Sequence, residues 1–136
     1  MLDPTTPEAP AAIVAEQTVG SFKDAEEIRR FARGCDVLTF EIEHVDVDAV
    51  EAVARETGVD VQPTPKTIRV IQDKYLQKVH FRAAGVPLPE FRDVPDAAAA
   101  TAVGREFGYP LMLKSKRNAY DGRGNAVVRS AGDLDA

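Results

Sequence analysis

Cysteine is nearly absent from this chain. Cys35 stands alone, so no internal disulfide can form and no multi-cysteine zinc cage can be built, which points to a reducing, cytoplasmic setting. Long apolar runs are missing too. No stretch approaches the ~18 apolar residues of a membrane-spanning helix, and Met1-Leu2-Asp3-Pro4 has neither the basic patch nor the apolar core of a secretory leader. Positive charge is in deficit: 17 Lys and Arg face 22 Asp and Glu, a formal net charge of −5. That balance argues against a general nucleic-acid surface, which needs an excess of cations for phosphate backbones. A small phosphorylated ligand held by a local basic cluster stays compatible with it. Neither a Walker A loop (G-x-x-x-x-G-K-[ST]) nor a G-x-G-x-x-G fingerprint occurs. What is there is a soluble composition, 44% apolar and 29% charged over 136 residues, enough for one ordinary domain or two small lobes.

The first half reads as alternating helices and short apolar strands. Residues 9–16 suggest a weak helix, softened by Pro4, Pro7 and Pro10. Residues 24–33 suggest a firmer one: Asp24 can cap it, Glu27 follows three residues later, Ile28 and Phe31 share a face, and Gly34 ends it. Residues 35–40 read as a buried strand, 47–57 as a helix stopped by Gly58, and 59–61 as a second strand closed by Pro63 and Pro65. Strand, helix and strand at this spacing predict a βαβ unit and a parallel sheet. Two strands before Pro63 are few for such a sheet, so further strands are expected upstream.

The second half predicts helices over 66–71 and 74–84, a strand over 90–94, an Ala-rich helix capped by Asp96 and running to Phe107, strands over 111–115 and 125–129, and a helix opening at 130–136. The Pro63–Pro65 stretch is the expected boundary, dividing the chain into 1–65 and 66–136.

Chemistry concentrates in the connection 115–125. Lys114, Lys116, Arg117 and Arg123 gather four cations inside an acidic protein, while Gly122 and Gly124 let backbone N–H groups approach an oxyanion. Such a loop can fold over a triphosphate. It can equally be a solvated hairpin whose charges protect an edge strand. Strand alternation puts Lys114 on the same face as Met112 and Lys116, where a half-buried ammonium wants an anionic partner; an outward lysine on a solvated face is the equal alternative. Lys74 stands at a helix start, where the helix dipole prefers anions, and reads most simply as a surface residue. Glu41 and Glu43 follow the strand 35–40. Spaced by two, they share a face about 7 Å apart, at the strand end where open α/β sheets bind ligands; hydrated loop carboxylates are the plainer alternative. His44 has no second histidine near it and does not make a metal site.

In order, Leu2-Asp3-Pro4, Gly20-Ser21-Phe22, Asp36-Val37-Leu38-Thr39-Phe40-Glu41-Ile42-Glu43-His44-Val45, Gln72-Asp73-Lys74-Tyr75-Leu76-Gln77-Lys78, Leu113-Lys114-Ser115 and Tyr120-Asp121-Gly122-Arg123-Gly124-Asn125 resemble the N5-carboxyaminoimidazole ribonucleotide synthetases, an ATP-grasp family. Residues 68–74 and Ala119 before Tyr120 resemble its fungal fused branch, the phosphoribosylaminoimidazole carboxylases. The resemblance implies an α/β fold: the C-terminal part of a Rossmann-like pre-ATP-grasp parallel sheet over 1–65, then the first α+β lobe of an ATP-grasp domain over 66–136. It implies an enzyme of purine synthesis that uses ATP and Mg²⁺ to activate bicarbonate as carboxyphosphate and then carboxylates 5-aminoimidazole ribonucleotide. Its partners are those small molecules, with no nucleic acid or membrane, and a homo-oligomeric full-length protein. Lys74, Lys114, Ala119, Gly122, Gly124 and Asn125 match ATP-facing positions. Tyr120, Asp121 and Arg123 match catalytic positions near the ribonucleotide and bicarbonate, and Glu41 or Glu43 matches a substrate-side carboxylate.

The family's glycine-rich opening strand, adenine clamp, Mg²⁺-binding residues and bicarbonate-holding Lys and Arg have no match in the chain, nor does the mutase-type domain of the fungal branch. The resemblance therefore implies a fragment unable to turn over alone, with no metal ligands of its own. Members also often place Gly before the Tyr, where this chain has Asn118-Ala119. Two readings compete with this one. The first is another ATP-grasp ligase, such as a formate-dependent purine transformylase or a biotin carboxylase-like protein. The second is a non-catalytic nucleotide-binding module.

Overall fold

The computed structural model describes residues 1–119 and 122–134, in two compact units, Met1–Ile71 and Gln72–Ala136. Among the described residues no helix is long and apolar enough to cross a membrane.

The first unit contains the expected βαβ motif. β3 (Val37–Leu38) and β4 (Asp60–Val61) run parallel, Val37 opposite Asp60 and Leu38 opposite Val61. Between them lies α2 (Val47–Thr57), whose N-cap Asp46 accepts the N–H of Ala49. α1 (Ala25–Ala32) precedes β3 and begins at Asp24, whose carboxylate accepts the N–H groups of Glu26 and Glu27. Glu27 does not reach back to complete a capping box; its carboxylate pairs with Arg30 one turn on.

Ile28, Ala32, Leu38, Val45, Val47, Val50, Val53, Val59, Val61 and Ile68 form the core, with Val50 and Val53 essentially inaccessible. Each of these Val, Leu and Ile side chains contributes about 1.5–3 kcal/mol on burial, which is what holds two-residue strands in place. Ile68 comes from α3 (Pro65–Ile71), and Arg69 on the same helix pairs with Asp48 and Glu51 of α2. For that reason the compact unit runs on through Ile71, beyond the Pro63–Pro65 stretch.

The region before α1 departs from expectation. Residues 9–16 contain only a short 3-10 turn, Pro10–Ile13. The segment is organised instead by Gln17, whose side chain accepts the N–H of Ala9 and donates to the carbonyls of Asp3 and Thr5. This brings β1 (Leu2–Asp3) parallel to β2 (Thr18–Val19), a pair the sequence reading missed. The first unit therefore holds four short strands, not two, arranged as two separate parallel pairs.

In the second unit α4 (Lys74–Ala83) is capped by Asp73 and α5 (Ala97–Phe107) by Asp96. β5 (Leu111–Lys114) and β6 (Asn125–Val128) form an antiparallel hairpin with Leu111 opposite Val128 and Lys114 opposite Asn125. The expected strand at 90–94 is absent. Pro87, Pro89 and Pro95 frame that stretch, and proline cannot donate to a ladder. Phe91 packs there as a single platform: Tyr75 meets it edge-on at 5.8 Å, and Arg82 and Lys78 lie over it at 4.7 and 5.4 Å. Gly104 in α5 has a steric reason, since a Cβ there would come within 2.2 Å of the Tyr109 hydroxyl. The described residues after β6 make a 3-10 turn, Ala131–Leu134, where a helix opening was expected.

Candidate functional site

The site assembles around the start of α4 and the β5–β6 connection. Asp73 is 8% exposed. One carboxylate oxygen accepts the N–H groups of Tyr75 and Leu76 at 3.0 and 3.1 Å, and the other accepts Nε–H of Arg117 at 3.2 Å. Burial pushes this carboxyl up, but the Leu76 N–H, the Arg117 guanidinium and the Tyr75 N–H together outweigh it and hold it below the usual aspartate range.

Lys74 is not the plain surface residue that its place at a helix start suggests. Its N–H donates to the Lys116 carbonyl at 2.8 Å, and its Nζ donates to the Ala119 carbonyl at 2.7 Å. The ammonium thus binds a carbonyl of the returning chain and ties the helix start to the connection.

The connection itself continues the hairpin by one bond, Ser115 N–H to Gly124 carbonyl at 2.8 Å. Asn118 takes the left-handed conformation at φ 56°, and Gly122 and Gly124 have φ of 79° and 71°. Asparagine is among the few side chains that tolerate this region. Gly124 is required twice over: its φ is positive, and a Cβ would fall 2.8 Å from Ser115 Oγ and 2.9 Å from Ala119 Cβ. Ala119, expected to face nucleotide, has its side chain buried at 5% exposure and presents its carbonyl to Lys74.

The four cations separate. Lys116 pairs with Asp93 at 3.1 Å and Arg117 with Asp73. Lys114 lies exposed at the end of β5, and among the described residues no hydrogen bond or ion pair holds its ammonium. Its strand face is solvated, the second of the two expected arrangements. Met112 is 53% exposed and its neighbour Leu113 39%. Lys74, Lys114 and Lys116 nonetheless line one cleft of about 370 Å³ with Phe91, Phe107 and Met112. Arg123, Gly122 and Asn125 are exposed. Tyr120 and Asp121, the other two expected catalytic residues, lie outside the described residues.

In the first unit Glu41 and Glu43 fall on a bend, because β3 ends at Leu38. The alternation that would put them on one face has no strand to act on. Glu41 is exposed; Glu43 Oε1 lies 3.9 Å from His44 Nε2. Among the described residues no group of three or more His, Cys, Asp or Glu could hold a metal ion.

What the sequence reading missed was Asp73 and Asn118. Aspartate before a helix signals a cap, and nothing local signals that it also takes an arginine 44 positions on.

Comparison with known proteins follows the same division. Residues 1–72 match the ribonucleotide synthetase preATP-grasp domain and residues 79–136 the ATP-grasp domain. The phosphoribosylaminoimidazole carboxylase of Schizosaccharomyces pombe is 48% identical over 119 residues, covering 88% of this chain and 21% of that protein. Among solved structures, the carboxyaminoimidazole ribonucleotide synthase of Aspergillus clavatus complexed with ATP superposes at TM-score 0.88 with 45% identity, covering 98% of this chain and 35% of the other. The synthase from the same organism with ADP and 5-aminoimidazole ribonucleotide superposes at TM-score 0.86 with 42% identity, again covering 98% and 35%. The chain thus spans about a fifth to a third of the relatives it matches. It belongs to the ribonucleotide synthetase preATP-grasp family, and its second unit carries an ATP-grasp segment.

Proposed function

We propose that this chain supplies phosphate-facing and substrate-facing residues of an ATP-dependent enzyme of purine synthesis that carboxylates 5-aminoimidazole ribonucleotide. The observation that carries the reading is the latched connection: Lys74 fixes the Ala119 carbonyl while Lys114, beside it in the same cleft, keeps an ammonium exposed. A phosphoryl transfer needs positioned cations and N–H donors more than covalent help.

The reaction proceeds in two displacements. A bicarbonate oxygen attacks the γ-phosphorus of ATP, the bond to the β-phosphate oxygen breaks, and ADP leaves carboxyphosphate behind. The exocyclic amine of the ribonucleotide then attacks the carboxyl carbon, inorganic phosphate departs, and the nitrogen gives up a proton. Lys114, Lys74 and the N–H groups around Gly122, Gly124 and Asn125 face the phosphates. Arg123, Tyr120 and Asp121 are assigned to ribonucleotide and bicarbonate, and Glu41 or Glu43 to the ribonucleotide. Mg²⁺ belongs to the same reading as the companion ion of ATP, and among the described residues no group of three or more His, Cys, Asp or Glu could hold it. The assignments rest on the match of these residues to the ATP-grasp synthetases and on the cationic character of the cleft. Cytoplasmic placement and a homo-oligomeric full-length enzyme belong to the same reading.

Gene replacement tests it. This sequence, exchanged for the matched segment of the S. pombe carboxylase in cells lacking that gene, should restore growth without adenine. A chimera that accumulates as soluble protein yet leaves the cells adenine-dependent overturns the reading.

A further inference from the structure

Among the described residues four helices begin at an aspartate cap, and one of the four differs from the rest. Asp24, Asp46 and Asp96 are exposed, and each caps its helix by accepting N–H groups of the first turn. Asp73 is buried and takes a side-chain cation besides. Taking a carboxylate out of water is costly unless its lone pairs are satisfied by hydrogen bonds or a counter-charge. A cap gains nothing from that burial. The arrangement is accounted for if the buried carboxylate has a second task.

The geometry supplies one. Asp73 and Lys74 are adjacent, and between them they make three links to the β5–β6 connection. Asp73 takes Arg117 Nε–H at 3.2 Å; the Lys74 N–H and Nζ take the carbonyls of Lys116 at 2.8 Å and Ala119 at 2.7 Å. Two of the three run through backbone carbonyls and fix chain position. The third runs through the guanidinium of Arg117, within the connection. We propose that Asp73 is a positioning residue for the phosphate-facing connection, holding it through Arg117 at the same time as it caps α4. Both carboxylate oxygens of Asp73 are engaged within the chain, by the helix N–H groups and by Arg117. Asp73 sets where Lys74, Lys114 and the glycine N–H groups stand when nucleotide enters. This rests on the proposed ATP reading for its functional consequence, though not for its structural one.

The test uses variants that separate the two tasks. Asp73→Asn keeps an oxygen for the helix N–H groups and removes the charge that Arg117 needs; Arg117→Gln removes the other partner. In the 136-residue chain, hydrogen exchange should be faster at Ser115 and neighbouring amides of the connection in both variants, with Tyr75 and Leu76 remaining protected in Asp73→Asn. In the A. clavatus synthase carrying this segment, each variant should raise KM for ATP about tenfold with kcat within about threefold. The double variant should be no worse than about tenfold, because both changes break one interaction. Unchanged exchange in the connection overturns the proposal. So does faster exchange with an unaltered KM for ATP, or a double variant whose effects multiply to about a hundredfold. Failure of the ATP reading looks different: the unmutated chimera does not turn over, or Lys114→Gln leaves KM for ATP unchanged. In that case the exchange result alone decides whether Asp73 holds the connection.

Discussion

The Nζ of Lys74 donates to the carbonyl of Ala119 at 2.7 Å, across 45 positions of sequence. This bond makes the start of α4 and the end of the β5–β6 connection one structural object. Replacing Lys74 with Met keeps the aliphatic stem and removes the donor. A charge-assisted hydrogen bond in a half-buried setting contributes about 1.5–3 kcal/mol. Lys74→Met should therefore speed exchange of the connection's amides by about tenfold or more, with α5 unaffected. Hydrogen exchange read by mass spectrometry checks this, and uniform exchange changes over the whole second unit would contradict it.

Gly124 offers a steric test of the same loop. Alanine there combines a positive φ with contacts under 3 Å to Ser115 and Ala119. Gly124→Ala should cost about 1–2 kcal/mol, measured as a lower urea midpoint. Gly85 also has positive φ, at 74°, but open space around it. Gly85→Ala should cost less, about 1 kcal/mol. Equal losses at the two positions would mean that the crowding at Gly124 relaxes freely.

The acid limb of stability follows from Asp73. Its folded-state pKa lies below the ordinary value, so protons bind the unfolded form more readily. The stability it contributes is fully present above about pH 4 and is lost as pH falls through the depressed folded value. Asp3, Glu56 and Asp133 are lowered as well, so wild-type acid destabilisation is shared among several carboxylates. The difference between wild type and Asp73→Asn isolates this one. Their urea midpoints should differ most near neutral pH and converge toward pH 2. A gap that stays constant across that range would show that charge on Asp73 plays no part.

Much of the first unit could be read directly from the chain. The spacing of residues 35–61 sets apolar strand, capped helix and apolar strand in line, and β3, α2 and β4 follow it. The hairpin 111–128 was legible because Leu111-Met112-Leu113 and Ala126-Val127-Val128 flank a Gly-containing turn. What could not be read were interactions set by distant partners. β1 and β2 are two residues each, and they pair because Gln17 gathers the intervening carbonyls, which no periodicity encodes. The stretch 90–94 has strand-like residues, yet the surrounding prolines and the cations over Phe91 settle it as an irregular platform. Site residues divide the same way. The motif at 119–125 was visible as a string, whereas the burial of Asp73 and of Ala119 depends on how α4 meets the connection.

Ile68 tests the packing of α3. It is 2% exposed against the α1–α2 core, so Ile68→Ala should cost about 2–5 kcal/mol. Lys66→Ala, on an exposed position of the same helix, should fall within about 0.5 kcal/mol of wild type. Urea denaturation separates them; a small loss at Ile68 would remove α3 from the first unit's core.

The central claim is tested most directly by turnover. The A. clavatus synthase in which this sequence replaces the matched third should release ADP at a rate that depends on both bicarbonate and 5-aminoimidazole ribonucleotide, and Lys114→Gln should reduce kcat/KM for ATP by about tenfold or more. A folded chimera that binds ATP but releases ADP at the same rate with and without the ribonucleotide would contradict the account.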